Sequence, residues 1–161
     1  MNPYASILGD HDPLAVLADT PTCLRDWFET FGERGAALSL APGKWSAREI
    51  LCHLADTELV FAFRLRQALA ETYHMVQPFD QDAWATRYAA CDVRAALELF
   101  SAVRNWNLAF VKAATPDEFS KPLAHPERGE MTFRTLVETM AGHDLNHRLQ
   151  LDTISKRAAS V

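Results

Sequence analysis

No long apolar run occurs in this sequence. The longest uninterrupted apolar stretches are of five residues, Leu59 to Phe63 among them, whereas a helix needs about 20 to span a bilayer, so no transmembrane helix is expected. A basic N-terminal region followed by an apolar one is also missing, so no secretory signal is expected. Cysteine is scarce: Cys23, Cys52 and Cys91 are widely spaced and form no Cys-x-x-Cys pair. That excludes a disulfide framework, favours a reducing, cytoplasmic setting, and predicts that all three are small buried apolar residues. Positive charge is the minority, with 16 Lys and Arg against 21 Asp and Glu and a net charge of −5. Arg64 and Arg66 are an isolated pair and Lys156-Arg157 is a tail, so no basic patch exists to neutralise phosphates, and a nucleic-acid binder is disfavoured. There is no internal repeat, no low-complexity tract and no convincing strand.

What is present is helical periodicity. Over 161 residues, long enough to bury roughly 70% of the unfolded surface, the pattern predicts one domain, residues 1–161. A loose or partly helical arm leads to Asp12-Pro13, a helix start with Pro at the first position. Leu24, Trp27, Phe28 and Phe31 then recur at helical spacing. This predicts a first helix kinked near Pro21 and ending around Phe31. Ser46-Ala47-Arg48-Glu49 reads as a capping box opening a helix to about Ala70, with Ile50, Leu54, Phe61, Leu65 and Ala68 as its apolar stripe. Trp45, beside that box, reads as a staple-like packing residue. Residues 73–90 lose the pattern and predict a long crossover with one short helical piece, Gln81 to Ala85. Phe79 and Trp84 in it are expected at a pocket mouth. Cys91-Asp92 caps a third helix to about Ala114, and Thr132 caps a fourth to about Ile154. Between these two, Thr115-Pro116-Asp117-Glu118 starts a short helical turn, followed by a loop through Pro122, Pro126 and Gly129. The expected fold is all-α: a four-helix bundle with one long crossover connection.

The polar residues inside these stripes carry the chemistry. His143 and His147 are four residues apart on the last helix, so they lie about 40° and 6 Å apart on one face, within reach of one metal ion. His53 faces the apolar side of the second helix. The alternatives are a three-histidine metal site or hydrogen-bonded core histidines, which would require several buried partners. Three neutral nitrogen ligands leave room for water or substrate, the pattern of a catalytic rather than a structural site. Arg104 falls within the stripe of the third helix, and an inward Arg needs an anion. The expected partners are Glu58 and Asp144, one of which would orient a ligand imidazole through its second nitrogen. The same two carboxylates are the candidate catalytic groups. A purely structural ion pair is the competing expectation. His11, His74 and His125 are expected to be solvated or locally bonded rather than ligands.

With these residues placed, the chain resembles the DinB-like (YfiT-like) superfamily. The matching text is Pro42-Gly43-Lys44-Trp45-Ser46, then Glu49 through Glu58, Arg64, Gly129 through Phe133, and His143 through Leu151. The resemblance implies an up-down-down-up bundle in which His53, His143 and His147 bind a divalent metal, zinc or nickel. It also implies homodimers. Some members are transferases or isomerases using a low-molecular-weight thiol (bacillithiol, mycothiol or glutathione). A thiol-dependent transferase is therefore the expected function, with a metal-dependent hydrolase or a non-catalytic metal- or ligand-binding protein as alternatives, and a small molecule as the partner.

Overall fold

The computed structural model describes residues 1–158. Four long helices dominate: α2 (Pro13–Ala36), α3 (Ala47–Ala70), α5 (Val93–Lys112) and α7 (Phe133–Ala158). Shorter pieces are α1 (Ala5–Leu8), α4 (Gln81–Ala85), a single 3-10 turn at Tyr88–Ala90, and α6 (Pro116–Phe119). Local chemistry starts each long helix. Asp12 accepts from Leu14 N at the head of α2, and Ser46 and Glu49 exchange both bonds of a capping box at α3. Asp92 accepts from Ala95 N at α5, and Thr132 Oγ1 accepts from Thr135 N at α7.

Side-chain contacts fix the helix directions. Arg48 reaches Cys91 and Arg66 reaches Asn107, so α3 and α5 run parallel. Trp27 Nε1 donates to Leu151 O, and Leu17 and Asp144 share one guanidinium, so α2 and α7 also run parallel. Arg94 lies over Phe28 while Arg104 bonds Leu17, which sets α2 against α5. The result is an up-down-down-up four-helix bundle. A parallel pair of neighbours needs a long connection, which explains the length of the crossover between α3 and α5.

Two expectations need correction. Three short strands are present: β1 (His74–Met75), β2 (Pro122–His125) and β3 (Gly129–Thr132). β1 pairs parallel to β2, and β2 antiparallel to β3. At two to four residues they are too short to show alternation, and β2 buries three successive residues. The break in α2 falls at Gly32 (φ 55°, ψ −155°), not at Pro21. Only glycine adopts that backbone without strain. Pro21 removes the N–H that would bond Leu17 O, but Arg104 Nη1 donates to that carbonyl instead, at 3.0 Å.

The apolar core is divided in two. One part gathers Leu24, Phe28, Leu54, Phe100, Leu151 and Ile154; the other gathers Leu17, Phe61, Leu65, Leu108, Phe133 and Met140. Between them, on three helices, lie Glu58, Arg104, Asn107, His143, Asp144 and His147, all buried.

Candidate metal centre

α3 brings His53 to the dividing layer, and α7 brings His143 and His147, one helical turn apart on the facing side. Their relative exposures are 1%, 6% and 6%. Nε2 of His143 lies 3.0 Å from Nε2 of His53 and 3.1 Å from Nε2 of His147. A ligating nitrogen from each lies within 4.8 Å of the others, the one such group of His, Cys or carboxylate side chains found among the described residues. The structure therefore brings together all three histidines singled out in the sequence.

Two tests support a cation as the common partner. Nitrogens bound to one ion at about 2.0–2.1 Å, at angles between right and tetrahedral, stand about 2.9–3.4 Å apart. A neutral imidazole nitrogen serves one good hydrogen bond, as donor or as acceptor, so the two contacts at His143 Nε2 are not both satisfied by protons. Electrostatics agree. Burial, then His147, pulls His53 down to about 3. Burial, then His147 and His53, pulls His143 well below the ordinary histidine value. Burial also lowers His147, with partial compensation from its bond to Gln150 and from Asp144. All three rings are neutral near pH 7, the form that ligates.

The rings are held from several sides. His147 Nδ1 pairs with Gln150 Oε1 at 2.8 Å, which fixes Nδ1 as the protonated nitrogen and turns Nε2 inward. Thr57 Oγ1 lies beside the His53 ring, 3.4 Å from Nδ1 and 3.3 Å from Nε2. Trp45 stacks obliquely on His53 with ring centroids 4.8 Å apart, so its role extends past a helix staple. Tyr4 meets His143 edge-on at 5.6 Å. That contact depends on Gly142, because a Cβ there would sit 2.5 Å from Tyr4 Cβ. Gln150 and Tyr4 carried no signal as single residues in the sequence, since each acts only through folded neighbours. Thr57, four residues after His53, lies on the same helix face.

Glu58 and Asp144 are not bonded to any imidazole among the described hydrogen bonds. Both are on Arg104, which is 0% exposed. Its Nε and Nη2 donate to the two oxygens of Glu58 at 3.0 and 2.7 Å, and its Nη1 and Nη2 donate to Asp144 at 2.6 and 3.2 Å. Asn107 Nδ2 donates to Glu58 Oε1 at 2.8 Å. Burial opposes the guanidinium's charge, but Asp144 and Glu58 outweigh it and hold the proton on. Burial pushes the Glu58 carboxyl above its ordinary range, against the pull of Arg104. The pairing foreseen for Arg104 is present with both carboxylates at once, and the expected link from carboxylate to imidazole is replaced, at His147, by Gln150.

Above the triad a pocket of about 440 Å³ is lined by Tyr4, Lys44, Trp45, Gln81, Asp82 and Asn146, with His147 and Gln150. The crossover thus contributes Gln81 and Asp82 to the pocket. Phe79 and Trp84, expected at its mouth, line a separate groove with Arg64. His74 and His125 are outside the triad, as expected; they are buried strand residues, each bonded locally, to Glu71 and to Glu127 N. His11 Nδ1 pairs with the nearby Leu8 O. Of the cysteines only Cys52 is buried, its thiol pushed up to about 12 by burial. Cys23 is half-buried and Cys91 exposed, because Cys91 sits in the turn ahead of α5. No described helix is long and apolar enough to cross a membrane.

Comparison with known proteins places this geometry among relatives. A family model described as the DinB superfamily matches residues 16–151. "Putative metal-dependent hydrolase OB0782" of Oceanobacillus iheyensis is 23% identical over 142 residues, covering 88% of this chain and 83% of the relative. "Putative metal-dependent hydrolase YfiT" of Bacillus subtilis is 22% identical over 147 residues, covering 89% and 83%. A solved structure described as "YfiT from Bacillus subtilis is a probable metal-dependent hydrolase with an unusual four-helix bundle topology" matches with a TM-score of 0.84 and 22% identity, over 91% of this chain and 86% of that one. The last match establishes the shared fold.

Proposed function

The chain belongs to the DinB superfamily, and on that premise we propose that it is a metal-dependent transferase joining a low-molecular-weight thiol to an electrophile. The observation that carries this is the convergence of three neutral imidazole nitrogens beside a pocket of about 440 Å³. His53, His143 and His147 would hold the ion, with zinc and nickel both matching a nitrogen-only donor set. A divalent cation held there would supply Lewis acidity, lowering the pKa of a thiol or a water at its open position. Gln150 keeps the His147 ring oriented, Thr57 flanks the ring of His53, and Trp45 and Tyr4 cover two of the rings against solvent. Lys44 and Asp82 bring one charge of each sign to the pocket wall, which suits a zwitterionic, peptide-like thiol such as glutathione. Glu58 and Asp144, engaged by Arg104, have little freedom to act as bases; a thiol acidified at the metal requires none.

Hydrolysis is the second reading, favoured by the names of the relatives. Asp82 is then the carboxylate on the pocket wall that would take a proton from the attacking water and pass it to the leaving group. A homodimer is also proposed, supported by Trp106 and Leu99 on the outer face of α5 at 70% and 40% exposure, and checked by analytical ultracentrifugation.

Protein purified without an affinity tag should carry about one divalent ion per chain by elemental analysis. His147→Ala should lose most of it. The loaded protein, given bacillithiol, mycothiol or glutathione with an arylating electrophile, should form conjugate at a rate abolished by metal removal. Ester cleavage without any thiol would instead select the hydrolase. Full metal content in His147→Ala would remove the site itself.

A further inference from the structure

A second groove, of about 340 Å³, lies on the other side of the crossover from the metal pocket. Its walls include Leu59 and Phe63 from α3 and Pro78, Phe79 and Trp84 from the crossover. Leu59, Phe63 and Trp84 are 43%, 57% and 41% exposed, large apolar side chains gathered on one surface. Only one charged residue lines the groove, and that is Arg64.

Arg64 is 7% exposed, and its guanidinium lies over the rings of Phe79 and Phe61, 5.7 and 6.0 Å from their centroids. Nη2 donates to Gln77 O at 2.8 Å, while the buried Nε has no partner. Among the described residues no carboxylate lies within 4.0 Å of it. Burial, and to a lesser degree Arg128, pulls its pKa down to about 10, so the charge is held in a place that disfavours it. Elsewhere in this protein a buried arginine is matched by carboxylates: Arg104 holds both Glu58 and Asp144. A buried guanidinium short of an anion, at an apolar groove, is the complement of a molecule with one acidic head and an apolar body.

We propose that this groove binds a small monocarboxylic acid of apolar body, its carboxylate on Arg64 and its chain or ring against Phe63, Phe79 and Trp84. The site is distinct from the metal centre: Arg64 follows His53 by eleven residues on α3, about 16 Å along the helix. It does not depend on the proposed transferase activity.

The test is calorimetric titration of the full-length protein with octanoate and, separately, with 1-octanol, which keeps the chain and lacks the charge. Octanoate should bind with roughly tenfold or greater preference, the scale of a charge-assisted hydrogen bond. Arg64→Gln should abolish the preference and Arg64→Lys should retain part of it. Should Arg64→Gln fail to fold, Trp84→Ala, altering an exposed side chain, should weaken octanoate binding in its place. Binding should survive metal stripping and His147→Ala. Equal affinity for octanol, octanoate binding unmoved by these groove variants, or loss of binding on metal stripping would each overturn the assignment. So would a dimer that Phe63→Asp dissociates while octanoate fails to bind, because the groove then belongs to a second copy.

Discussion

Arg104 and Arg64 lie deep in the same bundle, at 0% and 7% exposure, and their surroundings are opposite. Arg104 meets Glu58, Asp144 and the Leu17 carbonyl, so its charge is matched on every edge. Arg64 meets two aromatic rings and a single carbonyl. A buried ion pair is a poor source of net stability but a severe loss when one partner goes, since the survivor keeps its desolvation cost. The difference separates a charge that organises the protein from one available to a ligand. It also separates two cavities. The triad's pocket is polar and walled by Lys44 and Asp82, whereas the groove at Arg64 is apolar with one cation.

The sharpest way to break this contrast is Arg104→Met. Two carboxylates would remain buried without their cation, and urea denaturation should show a loss of about 3–5 kcal/mol. Replacing Glu58 and Asp144 with Leu in the same protein should restore much of it. Metal content that stays constant across both proteins would assign the Arg104 cluster a structural role alone. Next in size is Gln150→Ala, which frees His147 Nδ1. Competition with a chromophoric chelator should show metal affinity weaker by about 10–100-fold, with little change in metal-free stability. The smallest effect is expected for Arg64→Gln. Arg64 has no ion-pair partner to strand, so its removal should change the unfolding free energy obtained from urea denaturation by less than about 1 kcal/mol in either direction. A loss as large as that of Arg104→Met would erase the distinction between the two arginines.

Much of this was readable from the chain itself. Four apolar stripes at helical period, a capping box at Ser46 and an uncommonly long crossover sufficed for the bundle, because the stripes are local signals repeated over many residues. His53, His143 and His147 could be picked out because polar residues inside an apolar stripe demand a partner, and the same logic joined Arg104 to Glu58 and Asp144. The strands were missed because a ladder of two to four residues leaves no periodicity. Phe79 and Trp84 were assigned to the wrong cavity because composition does not say which side of a crossover faces which pocket. Tyr4 reaches His143 only through a helix crossing at Gly142, a tertiary fact with no trace in local sequence.

The bend expected at Pro21 failed for a related reason, and it has a consequence for assembly. A chain-local segment is missing a rung, and the replacement donor comes from 87 positions downstream. Until that donor arrives, the Leu17 carbonyl has only water as a partner, and burying it would leave it unsatisfied. Completion of the first helix is thereby tied to the docking of the third, and an amide hydrogen restored by Pro21→Ala would let the early segment mature alone.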